Sequence, residues 1–164
     1  MTTILTLRPV VPEDLPILFE QQLDPDANYL AAFTAKDPHN REAFLAHWHR
    51  IRADETVLVR TIVVEGAVAG SVLSYEDDGH PEVSYWLGRS FWGRGYATRA
   101  LTEFLAHVNR TRPIFARAAT DNAASLRVLE KCGFGVVGTG RGFANARGAE
   151  VDEYLLRLPP GPAA

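Results

Sequence analysis

The chain has 164 residues, of which 46% are apolar and 23% charged, with a net charge of −3. This is the composition of one globular domain, and it excludes extensive disorder, collagen-like repeats and a globally basic nucleic-acid binder. No apolar run approaches the ~18–20 residues of a membrane span, Met1-Thr2-Thr3-Ile4 carries no leader pattern, and the single Cys132 excludes an internal disulfide; the expectation is a cytoplasmic protein that binds neither membrane nor nucleic acid.

Ile4 to Leu7 alternates apolar and polar residues and reads as a short strand, broken by Pro9 and Pro12. Glu13 to Gln22 follows as a helix with Leu15, Leu18 and Phe19 on one face. Asn40 caps a second helix, Arg41 to Ala53, with Phe44, Leu45, Trp48 and Ile51 at helical spacing. The period then changes. Val57–Glu65, Val68–Tyr75 and Glu82–Leu87 are short, β-rich runs joined by Glu65-Gly66-Ala67 and Asp77-Asp78-Gly79, so 57–88 reads as an antiparallel meander.

Ala97, Ala100, Leu101, Phe104, Leu105 and Val108 form a continuous helical stripe, with Arg99 and Glu103 as an i,i+4 pair outside it. Ile114–Ala118 is a short strand. A helix capped by Asp121 or Asn122 runs through Lys131, with Gly133 as a left-handed C-cap and Phe134 packing back on Leu129. Two closing strands begin at Val136 and at Val151. The domain spans 1–158, and the Pro-rich segment 159–164 is a tail. The element order predicts an α/β (α+β) fold with a mixed, mostly antiparallel sheet of six to seven strands and about four helices.

Charge is unevenly spread. Residues 1–88 hold five Arg, one Lys and fourteen acids, a net of −8, whereas 89–127 hold seven Arg and two acids, a net of +5. A polyanion would meet 89–127; a solvated mixture of charges is the alternative.

Two segments carry chemistry. The first is Trp86-Leu87-Gly88-Arg89-Ser90-Phe91-Trp92-Gly93-Arg94-Gly95-Tyr96-Ala97-Thr98, a strand end, a glycine-bearing turn and a helix start. Free helix-start amides and two glycines that admit a bulky oxyanion make an anion cradle, or else a plain tight turn. The second runs from Asn122 to Phe134. Asn122 and Ser125 stand one turn apart at a helix N-terminus, facing a ligand or serving as cap and surface residue.

Together with Glu82-Val83-Ser84-Tyr85-Trp86-Leu87, these segments resemble the GNAT superfamily of acyl-CoA-dependent N-acetyltransferases. Within it they are most similar to the branch named for enzymes that acetylate ribosomal-protein N-termini, the RimJ/RimL type. The resemblance implies a sheet splayed between the strands at 82–87 and 114–118. It implies acetyl-CoA as cosubstrate, its pantetheine arm along Trp86, Leu87 and Gly88. Its pyrophosphate would rest on the cradle of Gly93, Arg94, Gly95, Tyr96, Ala97 and Thr98, with Arg89 or Arg94 meeting phosphates. Asn122 would bond the pantetheine, and Ser125 would lie near the sulfur. Where many members carry a thiolate-protonating tyrosine, this chain has Leu129.

Acetyl transfer to an amine needs a base, a polarised carbonyl and a stabilised thiolate. Glu82 is the candidate base, and an ion pair with His80 or an arginine is the competing reading. Amides near Leu87 would polarise the carbonyl, and Ser125 would meet the thiolate. Tyr85 and Trp86 alternate, so they face opposite sides of the sheet. His47 and His49 stand at i,i+2 on a helix and point apart, so no metal is expected. The acceptor, a small-molecule amine or a peptide N-terminus, is expected against Glu20–Ile51 and Thr139–Glu150, where Asp24, Asp26 and Asp37 would steer a cation. The competing class is a non-catalytic acyl-CoA-binding module. The chain is expected to be a monomer or a homodimer.

Overall fold

β-branched runs and tight turns build one seven-stranded sheet in the computed structural model, which describes residues 2–161. The strands are β1 (Leu5–Arg8), β2 (Leu58–Val64), β3 (Ala67–Asp77), β4 (His80–Leu87), β5 (Ile114–Ala119), β6 (Gly135–Ala144) and β7 (Ala149–Leu158). The helices are α1 (Leu15–Gln22), α2 (Pro25–Ala31), α3 (Arg41–Ala53), α4 (Tyr96–His107) and α5 (Ala123–Lys131). The spatial order is β1-β2-β3-β4-β5-β7-β6, antiparallel everywhere except between β4 and β5.

Two-residue turns fix the meander. Glu65-Gly66 and Asp78-Gly79 all sit at positive φ, between 49° and 79°, which matches the right-handed twist of the flanking strands. One sheet face packs on α4 and α5. Its core includes Ile62, Val72, Val83, Leu101, Phe104, Ile114, Leu129 and Leu156. On the other face α1 and α3 contribute Leu15, Leu18, Phe19, Phe44 and Trp48.

The caps follow the sequence. Asn40 accepts from the Ala43 amide at 3.0 Å, opening α3. Gly133 has φ 99° and ends α5 in a Schellman arrangement. There the Phe134 amide reaches Leu129 O and the Gly133 amide reaches Glu130 O, each at 3.0 Å. Phe134 and Leu129 are both buried in the same core.

Several expectations need correction. The first turn of the expected Glu13–Gln22 helix is a 3-10 turn, Pro12–Asp14. Asp14 is buried there because its carboxylate accepts from Arg8 at 2.7 and 2.8 Å, from Thr61 Oγ1 at 2.7 Å and from the Val11 amide at 3.0 Å. Helix α2 was not among the expected elements, and with it the described residues hold five α-helices on the expected mixed sheet. Leu45 is exposed on α3, so that helix buries Phe44 and Trp48 instead. Arg99 does not pair with Glu103: its Nη2 donates to Thr3 O at 2.7 Å, and Glu103 faces His107. Pro159–Gly161 extend beyond β7 as an exposed segment, and 162–164 of the expected tail lie outside the described residues.

Gly70 sets how closely β3 approaches β4. A Cβ built there would stand 1.9 Å from Trp86 O, a backbone atom that cannot swing aside. Gly70→Ala is therefore expected to cost about 3 kcal/mol or more in denaturant unfolding. A loss below about 1 kcal/mol would contradict this packing.

Candidate active site

β4 and β5 pair as parallel strands through a single residue pair, Glu82 opposite Phe115, and then part. Beyond that point the β4 edge has no neighbouring strand. Gly88 N donates to Ala69 O at 2.9 Å. Antiparallel ladders alternate, so Trp86 bonds to β3, while the Tyr85 and Leu87 amides turn toward the gap. The Leu87 carbonyl confirms that phase: it accepts from Trp92 Nε1 at 2.9 Å, not from β3.

The strand then runs into the glycine-bearing turn. Gly93 and Gly95 hold φ of 74° and 78°, a region costly for other residues. Gly95 is the N-cap of α4 and offers no side-chain cap. The first intrahelical bond is Arg99 N to Gly95 O. Among the described residues, no amide from Gly93 to Thr98 donates to a backbone or side-chain acceptor. A Cβ at Gly93 or Gly95 would meet no atom within 4 Å, so the space above the turn is open. Six unpartnered amides at the positive end of a helix form an anion cradle.

The faces of β4 separate two groups of side chains. Val83, Tyr85 and Leu87 face the α4–α5 core. Trp86 faces the opposite side, where its Nε1 donates to Gln21 O at 3.4 Å. A Cβ at Gly88 would stand 2.9 Å from Gln21 Nε2, so a side chain there would displace the Gln21 side chain, which donates to Val68 O at 3.2 Å.

Glu82 shares the Trp86 side of β4. It is only 5% exposed, and it accepts from Arg117 Nε at 3.0 Å. Arg117 also reaches Glu153 at 3.0 Å and Asp77 at 3.4 Å, so one guanidinium gathers three carboxylates. Burial pushes the Glu82 carboxyl above its ordinary value, while the Arg117 charge pulls it down. Tyr75, opposite Glu82 in the ladder, is pushed up to about 12 by burial and then by the Glu82 charge.

Ser125 is the third residue of α5. Its amide donates to Asn122 Oδ1 at 3.2 Å, so Asn122 caps this helix. Asn122 Nδ2 donates in turn to Leu30 O at 3.1 Å. The asparagine expected to face a ligand thus has both ends of its amide engaged by the protein. Ser125 Oγ accepts from the Tyr85 hydroxyl at 3.2 Å, which links β4 to α5. The sequence places Tyr85 only on the face opposite Trp86, because nothing local marks a contact forty positions away. Leu129 is buried in the core.

Of the two arginines expected near phosphates, Arg89 or Arg94, the first is held by acids in this structure. Its Nε and Nη2 bond Asp24 at 2.6 Å each, and Nη2 also bonds Asp26. Its guanidinium lies over the Trp92 ring. Asp24 and Asp26 are equally unavailable to steer a free cation. Asp24 also caps α2 by accepting from the Asp26 and Ala27 amides, and Asp37 accepts from the His39 amide. The Asp24-Pro25 pair, an N-cap residue followed by proline, is the signal that reveals α2. Arg94 has no hydrogen-bonding or ionic side-chain partner among the described residues and stands within the amide row.

Helix α2 bridges the gap. Through Asp24 and Asp26 it is tied to Arg89, just after β4. Leu30 ties it to Asn122, just after β5. Tyr29 ties it to Arg147, which stacks on that ring and pairs with Asp121 at 2.8 and 2.9 Å. Hydrogen bonding from Arg89 holds Asp24 down at about 2. A depressed carboxylate stabilises the fold above its unfolded value near 4, and that contribution is lost as pH falls toward 2. Asp24→Asn is expected to remove this part of the acid dependence of stability and to speed amide exchange over 25–31 at neutral pH. An unchanged acid limb would contradict the bridge.

Comparisons with known proteins agree with this architecture. The family model described as "Acetyltransferase (GNAT) domain" matches residues 5–135. An uncharacterized N-acetyltransferase, p20, of Bacillus licheniformis is 27% identical over 168 aligned residues, covering 96% of this chain and 93% of its own. The microcin C7 self-immunity acetyltransferase MccE, solved with acetyl-CoA and AMP, superimposes with a TM-score of 0.80 at 19% identity, over 95% of this chain and 92% of its own. Mycobacterium smegmatis RimJ, solved with CoA-disulfide, gives 0.80 at 22% identity, over 94% and 81%. Spermidine N-acetyltransferase from Vibrio cholerae, solved with CoA and spermine, gives 0.74 at 20% identity, over 94% and 95%. With a family model matching most of its length and a sheet that opens beside an amide cradle, this chain belongs to the GNAT family of acetyltransferases.

Proposed function

We propose that the chain transfers an acetyl group from acetyl-CoA directly to a primary amine, on a small molecule or a peptide N-terminus, without a covalent enzyme intermediate. The observation that carries this reading is the early end of the β4–β5 ladder beside six unpartnered amides. An amide-bearing arm fits the free edge of β4 as an added strand would, and a pyrophosphate fits the open space over Gly93 and Gly95. When bound, acetyl-CoA supplies an activated acetyl thioester. Trp86, Leu87 and Gly88 would hold its arm, Gly93, Arg94, Gly95, Tyr96, Ala97 and Thr98 its phosphates, and Asn122 the wall of the gap. Arg89 would act indirectly, by fixing α2 over the opening.

The Leu87 amide, turned into the gap, would donate to the thioester carbonyl. Glu82 would take a proton from the amine, directly or through water. Its burial and raised carboxyl suit that work, and Arg117 keeps it from rising too far. Ser125, opposite β4, would donate to the departing thiolate. The base stands on the Trp86 side of β4 and the serine beyond its Tyr85 side, so the amine and the leaving sulfur approach from different directions.

RimJ among the structural neighbours supports the RimJ/RimL-type branch. The spermidine enzyme keeps polyamines among the candidate acceptors. We further read 1–158 as one domain, because the sheet joins strands from both ends of the chain.

Thiol release from acetyl-CoA across polyamines, aminoglycosides, small amines and peptide N-termini tests the reading. At least one acceptor is expected to turn over. With it, Glu82→Gln is expected to lower kcat about 100-fold with CoA affinity retained. The wild-type acid limb of kcat/KM should lie above the ordinary carboxylate range and be missing from the variant. Tight CoA binding with silence across the panel would favour the non-catalytic binding module; full activity of Glu82→Gln would remove it as base.

A further inference from the structure

Ser125 alone is a weak partner for a thiolate, since its hydroxyl can rotate freely and carries no charge. The structure removes that freedom. Its backbone is pinned by the Asn122 cap at 3.2 Å, and Asn122 is itself anchored to Leu30 O. Its oxygen is pinned from β4 by the Tyr85 hydroxyl at 3.2 Å. Leu129, one turn along α5, offers no competing polar group.

We propose that Tyr85 is a positioning residue for Ser125: the phenol donates to the serine oxygen and so turns the serine O–H into the gap, toward the sulfur that leaves. This rests on Ser125 as the group that meets the sulfur. A hydroxyl has one hydrogen and two lone pairs. Once Ser125 accepts from Tyr85, its own hydrogen is left for the sulfur. Two hydrogen bonds in series polarise each other, so the terminal donor is stronger than an isolated serine. Burial holds the Tyr85 phenol above its ordinary value, while the bond to Ser125 works against the rise. The phenol therefore stays protonated at neutral pH and stays a donor. No proton leaves Tyr85: as the C–S bond breaks, its electron pair moves to sulfur, and the thiolate accepts the Ser125 hydrogen bond. The arrangement assigns part of the work of the absent helix tyrosine to a phenol on β4.

The test needs no acceptor. Coenzyme A itself is bound to the protein, and the pKa of its thiol is read from the ultraviolet absorbance of the thiolate. In Ser125→Ala that pKa is expected to rise by about one pH unit, the effect of losing one hydrogen bond to a charged group. Tyr85→Phe, which keeps the ring and its packing, is expected to produce a similar rise. The double variant should rise no further, because the phenol acts only through the serine. If Ser125→Ala raises the thiol pKa and Tyr85→Phe does not, the inference fails and the role of Ser125 stands. A double variant whose rise is the sum of the two singles also overturns it. An unchanged thiol in Ser125→Ala overturns both roles. Should Tyr85→Phe fail to fold, a fluorotyrosine at position 85, a stronger donor of nearly the same shape, is expected to lower the thiol pKa; no change would overturn the inference.

Discussion

A sheet that loses a strand pairing in its interior must satisfy the freed backbone elsewhere, because a buried amide without a partner is costly. Here β4 and β5 meet only at Glu82 and Phe115, and the amide edge of β4 beyond that point faces a gap. Much of the surrounding structure serves that opening. Gly70 brings β3 close enough to hold β4 from its other side. Trp92 takes the last carbonyl, Leu87 O. Helix α2 ties the segment after β4 to the segment after β5 through Arg89 at one end, and through Asn122 and Arg147 at the other. These ties join both sides of the opening to one short helix.

The same strand divides the chemistry. Alternation sends Glu82 and Trp86 to one face and Tyr85 to the other, so a carboxylate and a hydroxyl pair are held on opposite sides of one backbone. Glu82 is a shared residue in another sense. It marks the last β4–β5 pair, and it belongs to the cluster around Arg117 that joins β4 to β7 through Glu153. The base proposed for the reaction thus stands at the β4–β5 pair and is held by Arg117. Charge has a different meaning from the one its distribution suggests. Of the arginines between 89 and 127, Arg89 and Arg117 are bound to carboxylates, and Arg99 and Arg112 to backbone carbonyls. Arg94, Arg110 and Arg127 are left, and of these Arg94 stands within the amide row, so the row itself relies on oriented amides and one guanidinium.

The sequence carries the local features well. Helix α4 declares itself by its stripe, and its core residues Ala100, Leu101, Phe104 and Leu105 are buried as the spacing requires. The caps at Asn40, Asn122 and Gly133 are legible because each is set by neighbouring residues alone. Helix α2 is not, since seven residues hold too few turns for a period; only Asp24-Pro25 betrays it. The site is half legible for the same reason. The turn from Gly88 to Thr98 reads from its glycines and helix start. The links from Arg89 to Asp24, from Tyr85 to Ser125 and from Arg117 to Glu82 cross 65, 40 and 35 positions, and no local pattern announces them.

The proposed function requires the open edge of β4 and the amide row after it to receive one ligand together. Backbone amide resonances of the chain, followed as coenzyme A is added, test it most directly. Leu87 and the amides from Gly93 to Thr98 are expected to shift with a single binding curve and to become protected from exchange. Saturable binding that moves residues elsewhere while leaving Leu87 and the row from Gly93 to Thr98 unchanged would contradict it.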